Sequence, residues 1–113
     1  MLQKVIDLIM AKPVYKQGGK YATDMIADVT AIYNAGWDAL PDGTVIQAKN
    51  NQVIVKQGNN LVNQDMGYDY SIRSGKLYGS VKRTIKTIPL NDSQKATYLA
   101  QAIITKYYTV PRM

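Results

Sequence analysis

The sequence predicts an α+β fold: an antiparallel β-meander of four to five strands, with two N-terminal helices and one C-terminal helix packed on one face. Two patterns support this prediction. Apolar residues recur at helical spacing near both ends of the 113-residue chain, whereas they alternate with a period of two through its middle. Because no repeat, low-complexity tract or linker divides the chain, we expect a single domain over residues 1–113.

The first forty residues contain two amphipathic segments that are typical of helices. Pro13 follows the first segment and Gly36 follows the second. Proline cannot continue a helix, and glycine suits the left-handed position after a last turn. The apolar stripes that we expect these helices to bury are Leu2, Val5, Ile6 and Ile9 in the first, and Ala22, Met25, Ile26, Val29, Ile32 and Tyr33 in the second.

A β-hairpin is predicted over residues 44–57, where "TVIQAK" and "QVIVKQ" flank Asn50–Asn51. Asparagine tolerates the positive φ that a two-residue turn requires. This turn sets the register, and one face of the hairpin then becomes entirely apolar and is expected to meet the helices. The predicted pairs are Lys49 with Gln52, Ala48 with Val53 and Ile46 with Val55, and the apolar face is Ile46, Ala48, Val53 and Val55.

A short third strand is predicted at "LVNQ", residues 61–64, and a second hairpin turns around "SGK", residues 74–76. Its first arm places Tyr68 and Tyr70 beside Ile72, so we assign both tyrosines to the core. In its second arm, taken as continuous to residue 86, Leu77, Val81 and Ile85 share one face. The opposite face consists of Lys76, Tyr78, Ser80, Lys82, Thr84 and Lys86.

The last predicted element is a helix that starts after Asn91 and ends at Val110–Pro111. Asn91 and Gln94 have the spacing of a capping box, in which each side chain accepts a hydrogen bond from the other residue's N–H. We place Tyr107 in the core and Tyr108 at the rim or at an interface. The predicted apolar stripe is Ala96, Leu99, Ala100, Ile103 and Tyr107.

The composition argues against catalysis. The chain contains no cysteine, histidine or glutamate, which removes the usual general bases, the thiol nucleophile and the commonest zinc ligands. Asp24 and Asp28 stand one helical turn apart, but without a third clustered ligand the helix dipole explains them better than a metal ion does. We therefore expect no enzymatic activity, no catalytic residues, no cofactor and no metal.

The positive charge is concentrated in the second part of the chain. The net charge is +6, yet residues 1–42 carry four lysines against five aspartates. Residues 43–113 carry ten basic residues against three aspartates. This asymmetry favours a polyanionic partner such as nucleic acid, although a charge of this size also serves solubility alone.

The candidate anion-binding residues lie in the second predicted hairpin. Lys76, Lys82 and Lys86 share a face with Tyr78, and Arg73 comes from the neighbouring arm. Basic side chains neutralise phosphates, and a tyrosine ring can stack on an unpaired base. The alternative is that these residues form only the solvated face of an antiparallel sheet.

Three functions remain to be compared. The favoured one is a small interaction or assembly protein, of viral, phage or mobile-element type on compositional grounds, whose partner is another protein or a second copy and whose contacts include Tyr108. The alternative is a nucleic-acid-binding module that uses residues 73–86, and an enzyme ranks last. No run of 18 apolar residues occurs, and Asp7 interrupts the apolar opening segment. We expect no membrane partner and a location in the cytoplasm of the producing or host cell, or in a virion.

Overall fold

The computed structural model describes residues 1–108, which form four α-helices, a short 3₁₀ turn and six β-strands. The helices are α1 (Leu2–Met10), α2 (Pro13–Lys16), α3 (Gly19–Ala35) and α4 (Asp92–Tyr108), and the 3₁₀ turn is Trp37–Ala39. The strands are β1 (Val45–Lys49), β2 (Gln52–Gln57), β3 (Asn60–Asp65), β4 (Tyr70–Arg73), β5 (Lys76–Gly79) and β6 (Arg83–Pro89).

The α+β class is confirmed, and its sheet is antiparallel throughout. Four strands pair in the order β1-β2-β3-β6, and β4 and β5 form a separate two-stranded sheet. The chain therefore leaves the main sheet after β3, makes the small hairpin, and returns as β6 beside β3. The predicted third strand is present and extends one residue further at each end.

The helices form one layer in which α4 is central, because it contacts both β1 and the N-terminal helices α1 and α3. The predicted stripes are largely correct. The exceptions are Ile26 and Ala96, which are exposed. Ala102 and Thr105 were not predicted to be buried, and their burial follows from the contact of α4 with the sheet. The helix core consists of Val5, Ile6, Ile9, Tyr15, Met25, Val29, Leu99, Ala100, Ile103 and Tyr107.

Both ends of α4 were predicted, and one can be assessed. The Asn91 side-chain oxygen accepts a hydrogen bond from the N–H of Gln94, and the Gln94 side chain accepts one from the N–H of Asn91, each at 2.9 Å. The capping box is therefore confirmed. The predicted end at Val110–Pro111 lies outside the described residues.

The first hairpin has the predicted turn but a different register at its open end. Lys49 pairs with Gln52 and Ala48 with Val53, as expected. Beyond them a β-bulge makes Ile46 the extra residue, so that Val45 rather than Ile46 stands opposite Val55. A bulge shifts the alternation of side chains by one residue, and Ile46 therefore points to the opposite face.

This shift corrects the prediction of which face the helices cover. Ile46 and Leu61 pack with Trp37 and with Ala102 of α4, so this face carries the helix layer. The face with Val53 and Val55, which we expected to meet the helices, is covered instead by the β4–β5 hairpin. Sheet residues of that second core are Val45, Val53, Val55 and Val62, and Met66, Tyr70, Ile72 and Leu77 pack on them.

The second predicted hairpin is shorter than expected. Its second arm ends at Gly79, where an added Cβ would lie 2.7 Å from the Cβ of Tyr70, so only glycine allows this close approach. Val81 and Ile85, which we expected to share a face with Leu77, lie outside this hairpin and are exposed. Tyr70 packs on the core as predicted, but Tyr68 is 87% exposed and its assignment to the core was wrong.

Candidate functional site

Three of the five predicted site residues lie together on the outer face of the β4–β5 hairpin. Arg73 stands opposite Lys76, and the Arg73 guanidinium lies 5.9 Å from the centre of the Tyr78 ring. The two-residue turn Ser74–Gly75 has positive φ at both positions, which matches the twist of a tight hairpin. Because Ile72 and Leu77 face the core, the side chains of Arg73, Lys76 and Tyr78 face outwards.

The other two predicted site residues, Lys82 and Lys86, belong to a different part of the fold. Lys82 precedes β6. Its side chain lies next to Gly67, and its backbone N–H donates to the backbone carbonyl of Asp65. Lys86 lies within β6 opposite Asn63. The predicted single row of basic residues was therefore wrong, because the chain leaves one sheet after Gly79 and joins the other at residue 83, and a second bulge interrupts the alternation before Lys86.

Strand β6 is the most unusual surface of the described chain. All seven of its residues are exposed, although the strand pairs with β3 along its whole length. Ile85 is 41% exposed and Ile88 is 37% exposed, and Val81 just before the strand is similarly open. A strand rich in threonine and isoleucine normally covers a core with one face, so these apolar side chains lack the packing that their residue types favour.

The reason for this exposure is the position of both covering layers. Helix α4 lies over β1 at one side of the sheet, and the β4–β5 hairpin covers the valines of β1, β2 and β3 on the other face. Neither layer packs extensively on β6, and no residue of β6 belongs to the buried clusters. The β1 edge is also partly closed, since the N–H of Val45 donates to the carbonyl of Gly75 at 2.8 Å. Within residues 1–108, β6 is thus the more open of the two sheet edges.

The outward backbone groups of β6 can be assigned from its pairing with β3. The N–H of Leu90 donates to the carbonyl of Asn59, just beyond the last strand pair. Hydrogen-bonded and non-hydrogen-bonded pairs alternate in an antiparallel ladder. Ile88 and Lys86 are therefore bonded to β3, and the N–H and C=O of Thr87 point away from it. Pro89 has no N–H to offer at the end of this edge.

The charge of β6 is positive. The strand contains Arg83 and Lys86 and no acidic residue, and Lys82 precedes it. Arg83 lies 3.6 Å from Asp65, whereas Lys82 and Lys86 have no ion pair among the described residues. The edge therefore combines unpaired backbone groups, exposed isoleucines and free lysine charges.

Tyr108, the predicted interface residue, is half exposed at the end of α4. Its hydroxyl donates to the carbonyl of Leu8 at 3.0 Å, and the Lys12 ammonium lies 5.1 Å from its ring centre. Leu8 is itself half exposed. Tyr108 thus ties α4 to α1 and leaves part of its ring open, and its role at an interface stays a prediction.

Sequence reasoning missed a polar cluster that joins α3 to α4. Lys106 donates to the Asp28 carboxylate at 2.7 Å, and the Tyr107 hydroxyl donates to the same oxygen. Burial favours a higher pKa for Asp28, but the hydrogen bonds from Lys106 and Tyr107 and the Lys106 charge outweigh it and lower the pKa. Burial, followed by the bond to Asp28, raises the pKa of Tyr107.

Asp24 and Asp28 each form an ion pair with a different lysine. Asp24 pairs with Lys20 at 2.8 Å, and Asp28 pairs with Lys106. Across the described part of the chain, no group of three potential ligand residues is placed to hold a metal ion. In the same residues, no helix has both the length and the apolar character needed to cross a membrane.

Comparison with known proteins provides no relative. No protein-family model matches the chain, and no curated protein or solved structure is significantly similar to it. Its function has to be inferred from its own residues.

Proposed function

We propose that this chain is a non-enzymatic interaction protein that binds an extended, acidic segment of another protein along the free edge of β6. The observation that carries the proposal is that all seven residues of β6 are exposed, although the strand is paired with β3 on one side. A partner segment would add a fifth strand to the sheet, with main-chain hydrogen bonds for affinity and side-chain contacts for specificity.

The exposed side chains of β6 support a bound strand. Ile88 shares a sheet face with Lys86, because their partners Leu61 and Asn63 alternate with Val62 on the other face. A neighbouring strand with glutamates on this face would place their carboxylates near Lys86 and cover part of Ile88 with their methylene groups. Burial of the exposed isoleucines would contribute hydrophobic free energy that the isolated chain lacks.

The charge of the edge favours an acidic partner over a second copy. Pairing β6 with itself would place strands that carry Arg83 and Lys86 against each other without any compensating acid. Lysine on an edge strand is a common way to prevent such self-pairing. A segment with alternating acidic residues would instead complement Lys82 and Lys86, which have no ion pair in residues 1–108.

The test is an NMR titration of ¹⁵N-labelled protein with a blocked peptide of about ten alternating valine and glutamate residues. We expect chemical-shift changes concentrated in residues 83–89 and slower hydrogen exchange of the Thr87 amide. Thr87→Pro removes the outward N–H and should weaken binding by about tenfold or more. Thr87→Val keeps the N–H and serves as the matched control.

Lys86→Glu provides a second variant in case Thr87→Pro disturbs the strand. It should lower the affinity for the acidic peptide by about tenfold. Equal binding of a peptide with lysine in place of glutamate would refute the charge argument. Chemical shifts in β6 that depend on the concentration of the free protein would identify a second copy as the occupant. A spectrum that does not change on addition of the peptide would refute strand addition at β6.

A nucleic-acid-binding function has one specific observation in its favour, the outer face of the β4–β5 hairpin. Arg73 lies over the half-exposed ring of Tyr78, and Lys76 faces Arg73. Exposed aromatic and basic side chains of this kind bind single strands. Binding of single-stranded RNA that falls steeply with salt and is lost in Arg73→Gln/Tyr78→Ala, but not in Lys86→Glu, would favour this alternative.

A further inference from the structure

A cleft that is separate from β6, and that shares only Lys76 with the outer hairpin face, opens between the helical layer and the small hairpin. It has a volume of about 370 Å³ and is bounded by α3, by the 3₁₀ turn with the segment that follows it, and by the β4–β5 turn. Lys106 of α4 reaches it from the side. These elements are distant in sequence, so the cleft exists only in the folded chain.

Small residues explain why this space stays open. The α3 wall presents Ala31 and Ala35, and Gly36 and Ala39 continue it around the helix end. Ile32, Leu40 and Pro41 add larger apolar surface, and Thr44 and Ser74 add hydroxyl groups. A volume of this size with mostly apolar walls and a few polar groups is typical of sites for small molecules.

The polar groups of the cleft carry an excess of positive charge. Lys106 is neutralised by Asp28 at 2.7 Å, and both residues line the cleft. Lys76 is exposed at the β4–β5 turn and has no ion pair among the described residues. An apolar cleft with the unpaired Lys76 ammonium at its rim is complementary to an apolar chain that ends in a negative charge.

We propose that the cleft between α3 and the β4–β5 turn binds a small amphipathic anion, a carboxylate with an unbranched apolar chain. The chain would lie along Ala31, Ala35 and Leu40, and the carboxylate would pair with Lys76. Each methylene that enters the cleft is removed from water, so the affinity rises with chain length until the cleft is filled.

The experiment is an NMR titration of the full chain with octanoate, hexanoate and 1-octanol. We expect octanoate to shift residues 31–44 and 74–76, and to bind about tenfold more tightly than hexanoate, since two methylenes are added. 1-Octanol should bind several-fold more weakly than octanoate. No shifts with octanoate at about 10 mM would overturn the proposal, because even weak sites bind in the millimolar range.

Two pairs of variants locate the ligand. Ala31→Leu fills the cleft and should lower the affinity for octanoate by at least about tenfold. Ala27→Leu is the control, because it adds the same side chain one turn earlier, outside the cleft. Lys76→Gln should weaken octanoate and leave 1-octanol unchanged, and Lys16→Gln is its control. If Ala31→Leu has no effect, the cleft is not the site, and if octanoate and 1-octanol bind equally, the anion is not recognised.

Because the β6 variants leave this cleft intact, loss of octanoate binding and loss of peptide binding can be separated. Lys86→Glu should keep octanoate binding unchanged. Ala31→Leu should in turn leave the acidic peptide bound to β6.

Discussion

Lys56 is only 4% exposed, although lysine side chains are almost never fully buried without a partner. Its ammonium donates to the carbonyl of Leu40 at 2.6 Å and lies 5.6 Å from the Trp37 ring centre. Asp42 is 3.6 Å away and accepts a hydrogen bond from the N–H of Gly58. The lysine thus ties β2 to the turn between the 3₁₀ helix and β1, a contact that strand alternation cannot reveal.

Replacing Lys56 with methionine tests this role. Lys56→Met keeps the aliphatic stem but removes the charged hydrogen bond to Leu40, and should lower the free energy of unfolding by about 1–2 kcal/mol. Urea unfolding measures the change. Lys49→Met in the exposed part of β1 is the control and should change stability by less than about 0.5 kcal/mol. Equal effects of the two substitutions would contradict the role of Lys56.

At the scale of elements, α4 shows both the success and the limit of sequence patterns. Its capping box and its main apolar stripe are local features, and both were predictable. Its second buried face was not, because that face meets β1 through Ala102 and Thr105. The Thr105 hydroxyl donates at 2.8 Å to the carbonyl of Ile46, the bulged residue of β1. The bulge and the threonine are therefore parts of one helix–sheet contact.

Thr105→Val tests this contact with almost no change in side-chain volume. It leaves the Ile46 carbonyl without the hydroxyl donor and should lower the free energy of unfolding by about 1–2 kcal/mol. Thr97→Val, on the exposed side of the same helix, is the matched control and should have a smaller effect. The measurement is chemical unfolding of both variants, and a smaller loss for Thr105→Val than for Thr97→Val would refute the assignment.

At the scale of the whole molecule, a cluster of Asp28, Lys106 and Tyr107 joins α3 to α4, two helices that are far apart in the sequence. The residues are 78 and 79 positions apart, so no local pattern links them. The pKa of Asp28 is lowered in the folded protein by the hydrogen bonds that outweigh its burial. A carboxylate with a lowered pKa stabilises the fold above its unfolded pKa, and this contribution is lost as pH falls through the folded pKa.

We therefore expect the stability difference between the wild type and Asp28→Asn to depend on pH. At pH 7 the variant should be less stable by about 1 kcal/mol, a modest value because the carboxylate is partly exposed. The difference should begin to shrink once the pH falls below the pKa of an unfolded aspartate, about 4, and should disappear only below the lowered pKa of the folded carboxylate. Urea unfolding at pH 7 and at a pH well below 4 measures the difference in the free energy of unfolding, with Asp69→Asn as an exposed control. A difference that persists in acid would show that charge is not the cause.

The candidate surfaces were only partly predictable. Arg73, Lys76 and Tyr78 were expected on one solvent-facing side and do share it, because a two-residue turn determines the register of a short hairpin. Lys82 and Lys86 were extrapolated along an arm that ends at Gly79. The open edge of β6 could not be predicted, since pairing with β3 across a separate hairpin is a non-local choice.

The sequence by itself determined the α+β class, three of the four helices within residues 1–108, the capping box of α4, the two hairpin turns and the absence of histidine and cysteine chemistry; the short helix α2 was not predicted. These features depend on residue type, spacing and local backbone preference. The tertiary structure alone decided which face of the sheet the helices cover and where β6 pairs. It also decided that Ile85 and Ile88 stay exposed while Lys56 becomes buried. Alternation defines two faces of a strand, but only the contacts of distant elements select the face that is buried.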